Sequence, residues 1–131
     1  MTISSKQKDV LRTFLAALID QNEARILVPP YRAAVGFWFG GGNLVQDHDG
    51  VIWLSSRYRN EGDSRTGLAA GQRGLECAVF RSEDRGQTFE KVRSWTKMEV
   101  SYDQTPTVSI EGTSLHRMSD GTWELFISTE K

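Results

Sequence analysis

Apolar residues change their spacing once along this chain, near residue 30, and the change separates a helical opening from a strand-rich remainder. Val10, Leu11, Phe14, Leu15, Leu18 and Ile19 recur at intervals of three and four, which places them on one stripe of an α-helix. Lys8, Asp9, Arg12 and Asp20 carry the polar side. Ser4 followed by Gln7 is a capping-box pattern at the start. Pro29-Pro30 cannot continue a helix. This opening segment, residues 1–30 with its linker, is expected to be an amphipathic helix packing on a neighbouring layer.

Beyond Pro30 the helical period is lost. Phe37-Trp38-Phe39 leads into Gly40-Gly41-Gly42, and a strand is expected over Asn43-Leu44-Val45-Gln46. The Asp47-His48-Asp49-Gly50 turn then joins it to Val51-Ile52-Trp53-Leu54-Ser55-Ser56-Arg57-Tyr58. An Asp-Gly turn between two strand-like runs predicts a hairpin. A polar loop over 60–72 separates it from two further runs, residues 76–81 and 89–95. Together these predict a four-stranded antiparallel meander. A weak repeat follows at a constant offset of 71 residues. Gly41-Gly42-Asn43-Leu44, Asp49-Gly50 and Leu54 correspond to Gly112-Thr113-Ser114-Leu115, Asp120-Gly121 and Leu125. A four-stranded unit followed by the start of another is the pattern of a β-propeller. The fold expected is therefore all-β, an incomplete propeller over residues 31–131 preceded by one helix. Its first blade spans about 40–96 and its second begins over about 108–131. Propellers need four to eight blades, so an N-terminal piece of a longer protein is expected.

Composition narrows the partners. Sixteen Lys and Arg stand against seventeen Asp and Glu. That near-neutral balance gives no basic field for a nucleic-acid backbone. The single cysteine, Cys77, excludes an intrachain disulfide framework. No apolar run reaches the roughly 20 residues that span a bilayer, so no membrane partner is expected. The opening residues carry no signal-peptide pattern, which leaves the cytoplasm as the default location. His48 lies in a turn and His116 is isolated; neither has the spacing of a metal set, and no cofactor is implied. Eleven of the sixteen cations are arginine and four residues are tryptophan, a mix suited to planar recognition groups.

Ser82-Glu83-Asp84-Arg85-Gly86-Gln87-Thr88-Phe89 matches the Asp-box pattern S-x-D-x-G-x-T-W, with Phe in place of Trp. The box reads as a folding turn. Its Asp accepts backbone N–H groups, its Gly takes a positive φ, its Thr closes the loop, and its aromatic packs into the sheet. With this motif and the blade repeat, residues 40–131 resemble the sialidase superfamily of β-propellers, also described by the BNR repeat. The meander sends the Asp box and the Asp47–Gly50 turn to one end of the blade. The opposite end gathers Gly40–Gly42, Arg57, Arg59, Glu61, Asp63, Arg65, Arg73, Glu76 and Glu111.

The resemblance implies a glycoside hydrolase cleaving terminal glycosidic bonds, with a glycan or glycoside as partner. It makes Asp63, in Arg59-Asn60-Glu61-Gly62-Asp63, the acid/base. Where a sialidase has Arg-Ile-Pro before its first strand, this chain has Gly40-Gly41-Gly42-Asn43. Arg57, Arg59, Arg65 and Arg73 are the candidates to bind substrate through bidentate geometry. Trp38 is a candidate platform for a sugar ring, with the sheet core as its other reading. For Arg57 and Arg59 the other reading is an ion pair with Glu61, Asp63 or Glu76.

Two alternatives stand beside this one. Ile110-Glu111-Gly112-Thr113-Ser114-Leu115 resembles the blade that carries the general-acid glutamate of five-bladed arabinanase- and xylosidase-type glycosidases, which would make Glu111 catalytic. A non-catalytic propeller that binds glycans or proteins is the third.

Overall fold

The computed structural model describes residues 3–61 and 73–131. One helix, α1 (Ser5–Leu18), precedes six strands: β1 (Trp38–Gln46), β2 (Ile52–Arg59), β3 (Glu76–Ser82), β4 (Glu90–Thr96), β5 (Ser109–Arg117) and β6 (Trp123–Glu130). The fold is mostly β, with two antiparallel sheets. The first has the order β1-β2-β3-β4 and the second is the pair β5-β6.

The helix starts where its capping box requires. Ser4 Oγ accepts from the Gln7 backbone N–H, and the Gln7 side chain accepts in return from the Ser4 N–H. The expectation that it packs on a neighbouring layer is corrected. None of its residues is buried, and Val10, Leu11, Phe14, Leu15 and Leu18 are all exposed. The cap and the intrahelical ladder satisfy its backbone locally. Spacing alone carries no information about whether a neighbour covers the stripe.

The meander forms as alternation and turns dictate. Asp47 turns the chain by accepting the Asp49 and Val51 amides on Oδ1, at 3.0 Å each, and Gly50 takes a φ of 83°. β1 begins at Trp38, five residues before the strand expected from sequence. The glycines do not end it, because a bulge between Gly40 and Asn43 absorbs them. Gly42 is required by close approach: a Cβ there would lie 1.8 Å from the Ser55 carbonyl oxygen.

Strand alternation gives the first sheet two working faces. Leu54, Ser56, Tyr58, Ala78 and Phe80 point to one side. There Val28, Tyr58, Ala78 and Phe80 are buried, with Phe39, Leu54 and Phe89 packed against them. Tyr31 stacks on Tyr58 at 4.0 Å between ring centroids and donates its hydroxyl to Glu76. Residues 25–31 thus cover this face. Trp53, Ser55 and Arg57 point to the other side, toward β5 and β6.

The two sheets meet along that second face. Trp53 and Trp123 lie 5.1 Å apart between ring centroids, which places Trp53 between the sheets. Asn43 is the main polar join. Its Nδ2 donates to the Leu115 carbonyl at 2.9 Å, and its Oδ1 accepts from the Leu115 amide at 2.8 Å and from Ser55 Oγ at 3.0 Å. An Asn amide here supplies the donor and acceptor that a neighbouring strand would have given.

Candidate functional site

The strand starts of β1 and β5 and the end of β2 come together at one end of the two sheets. Arg57 is carried there by β2 and is only 6% exposed. Its Nε donates to the Glu111 backbone carbonyl, and its Nη2 lies 3.3 Å from Glu111 Oε2. Arg73 Nη2 reaches the same oxygen at 3.1 Å. The Arg57 guanidinium also sits 5.1 Å from the ring centroid of Trp38. Burial pulls Arg57 below the ordinary guanidinium value; the Glu111 carboxylate works against this, while Arg59 and Arg73 add to it.

The glycines make this approach possible. Gly41 has a φ of 80°, and a Cβ there would meet the Glu111 carbonyl and Arg57 Nε. A Cβ on Gly112 would be tighter still, 3.1 Å from the Gly41 carbonyl oxygen. Two polar atoms at the centre are buried without a hydrogen-bond partner among the described residues, Arg57 Nη1 and Glu111 Oε1. A carboxylate gripped on one oxygen by two guanidinium groups leaves its second oxygen available to another donor.

The expected site residues divide into three groups. Arg57, Arg73, Glu111 and Trp38 converge. Trp38 is 43% exposed, so it belongs to the surface of this site rather than to the sheet core. Asp63 and Arg65 lie outside the described residues. Arg59 donates to the Asn60 carbonyl, and Glu76 is engaged on the other face by Tyr31 and by Lys91, 2.9 Å away. The ion pair expected for Arg57 with Glu61, Asp63 or Glu76 is thus made with Glu111 among the described residues, because β5 brings that carboxylate against the face Arg57 points to.

Ser82, Asp84, Gly86, Thr88 and Phe89 form the turn at the opposite end. Asp84 Oδ1 accepts from Ser82 Oγ at 2.7 Å and from the Gln87 and Thr88 amides at 2.8 and 2.9 Å. Thr88 Oγ1 closes onto Oδ2 at 2.6 Å. Arg85 and Gly86 have φ values of 61° and 81°. These bonds, the Thr88 hydroxyl first, hold the Asp84 carboxyl well below the usual carboxylate range.

Sequence reasoning missed two supports of the site. Lys97 donates to the Val108 carbonyl at 2.7 Å and to the Arg73 carbonyl at 3.4 Å, tying the backbone of Arg73 to the approach of β5. Burial lowers its pKa. Gly74, at a φ of 56°, packs so closely on Ser109 and Ile110 that no Cβ fits, and its carbonyl accepts the Ile110 amide at 3.0 Å. Asn43 was visible only as a member of the repeat, where polar residues interrupting an apolar run were the available signal. No family model, curated protein or solved structure matches the chain.

Proposed function

We propose that the two sheets are successive blades of a sialidase-like β-propeller, and that the protein acts as a glycoside hydrolase on terminal glycosidic bonds. The convergence of Trp38, Arg57, Arg73 and Glu111 at one end of the sheets carries this reading. Two arginines oriented by one carboxylate suit the planar recognition of an anionic sugar, and a half-exposed tryptophan beside them suits the C–H face of its ring. The turn centred on Asp84 supports the same reading as an Asp box that builds the blade, remote from the reacting groups. In this reading Asp63 supplies the proton and Glu111 positions the arginines.

The unpartnered Oε1 of Glu111 favours a second reading, in which Glu111 itself is the acid of a five-bladed glycosidase. That chemistry requires a second carboxylate across the bond, about 5–5.5 Å away for retention and about 6.5–9.5 Å for inversion. Saturation-transfer NMR on the chain separates the two. Transfer to N-acetylneuraminic acid that disappears in Arg73→Ala supports the sialidase-like reading. Transfer to arabinose or xylose that disappears in Glu111→Gln supports the second. Transfer to none of the three sugars would overturn the site.

A further inference from the structure

On the other face of β1 and β2, reaching round the β1 edge to Trp38 and Gly41, residues 25–30 leave a cavity of about 420 Å³. Its walls are Ile26, Leu27, Val28, Phe37, Phe39 and Leu54, with the backbone of the glycine bulge along one side. The size and the apolar lining are those of a small-ligand pocket. Ser56 also lines it. That side chain is 1% exposed, and its Oγ has no hydrogen-bond partner among the described residues. A buried hydroxyl left unpaired costs free energy that a ligand atom can recover.

Charge selects the ligand further. Among the described residues, Arg25 is the only charged one lining the cavity. Its guanidinium is held by neutral acceptors, Gln87 Oε1 at 2.9 Å and the Gly86 carbonyl at 3.0 Å. Among the described residues no carboxylate lines the cavity to neutralise it. A second cation, Arg32, stacks 5.1 Å from the centroid of Phe37 on the wall. We propose that this cavity binds a small apolar carboxylic acid, an aryl or short acyl chain whose tail fills the Leu27–Phe37–Phe39–Leu54 space and whose carboxylate faces Arg25. Ser56 Oγ meets a polar atom of the bound molecule. The proposal does not depend on the glycoside reading; the cavity shares one side chain, Trp38, with the Arg57–Glu111 cluster.

Phenylacetate is a suitable probe, with phenylacetamide as its uncharged counterpart and acetate as the head without a tail. In ¹H–¹⁵N spectra of the whole chain, phenylacetate should produce saturable shifts at the amides of Phe37, Phe39, Leu54 and Ser56. The dissociation constant expected for a molecule of this size is about millimolar. Phenylacetamide to the unaltered chain, and phenylacetate to Arg25→Gln, should each bind roughly threefold to tenfold more weakly, and acetate should leave those amides unmoved. Arg73→Ala should leave phenylacetate binding intact, which keeps this result separate from that of the sugar site. Absence of saturable shifts at these amides, or equal binding of acid and amide, overturns the proposal. Should Arg25→Gln lose the native spectrum, the acid-against-amide comparison on the unaltered chain decides alone.

Discussion

Single side chains in this protein have environments that set their chemistry in opposite directions. Asp84 is held ionised by hydrogen bonds, so its folded pKa lies below the ordinary value of 3.8. A depressed carboxyl contributes stability that is fully present above 3.8 and is lost as the pH falls toward the folded value. Asp84→Asn keeps the shape but cannot accept the Thr88 hydroxyl and the amides in the same way. It should melt at a lower temperature at pH 7 and lose less on acidification from pH 4 to pH 2, as followed by circular dichroism. An acid limb identical to that of the unaltered chain would sink the assignment. Cys77 is the opposite case. Burial pushes its thiol up to about 11, so at pH 8 it should react with a disulfide reagent only as fast as the protein unfolds. Reaction at the rate of a free thiol would show that the site opens. The bonding pattern around Asp84 was readable from sequence because all its partners lie within six residues. The burial of Cys77 was not, since it depends on strands brought together from far along the chain.

At the scale of elements, the join between the sheets rests on few groups. Asn43→Ala removes one donor and one acceptor from the Leu115 backbone and a partner from Ser55. The cost should be about 1–3 kcal/mol. It should fall unevenly: amide protection in β5 and β6 should drop more than in β2 and β3, which keep their own ladder. Equal loss in both sheets would mean that they unfold as one unit. Gly42→Ala should destabilise by at least the ~1–3 kcal/mol typical of overpacking, because the atom it would strike is backbone. The hairpins and the meander could be read from alternation and Asp-Gly turns. The true start of β1 could not, since three successive glycines look like a break until a partner backbone packs against them. The exposed stripe of α1 is the complementary failure: the period predicted the helix correctly and said nothing of its neighbour.

For the molecule as a whole, the proposed ring needs four to eight blades, and the described residues form one four-stranded sheet and one pair. Under the glycoside reading Asp63→Asn should lower kcat at least about a hundredfold, while Arg57→Lys should raise KM by replacing a planar clamp with a point charge. Steady-state kinetics on a panel of aryl glycosides checks both; an unchanged kcat for the Asp63 variant would pass the acid role to Glu111. The sequence pattern placed Arg57, Arg73 and Glu111 at the same end through topology alone. That Glu111 is the shared partner of the two arginines became legible only with β5 docked on β2.

Gly41 and Gly112 occupy the same place in the 71-residue repeat, and a Cβ on Gly112 would lie 3.1 Å from the Gly41 carbonyl oxygen. Asn43 likewise meets Leu115, one position from its own counterpart Ser114. Ser55 faces the second pair through Thr113, whereas its counterpart Phe126 is exposed; unlike faces therefore meet, and the contact is heterologous. The outer face of the β5-β6 pair then repeats the face that the first sheet presents to it, with Phe126 standing where Ser55 stands. Phe126 is 58% exposed. In the proposed propeller a step of this kind closes when its rotations sum to a full revolution.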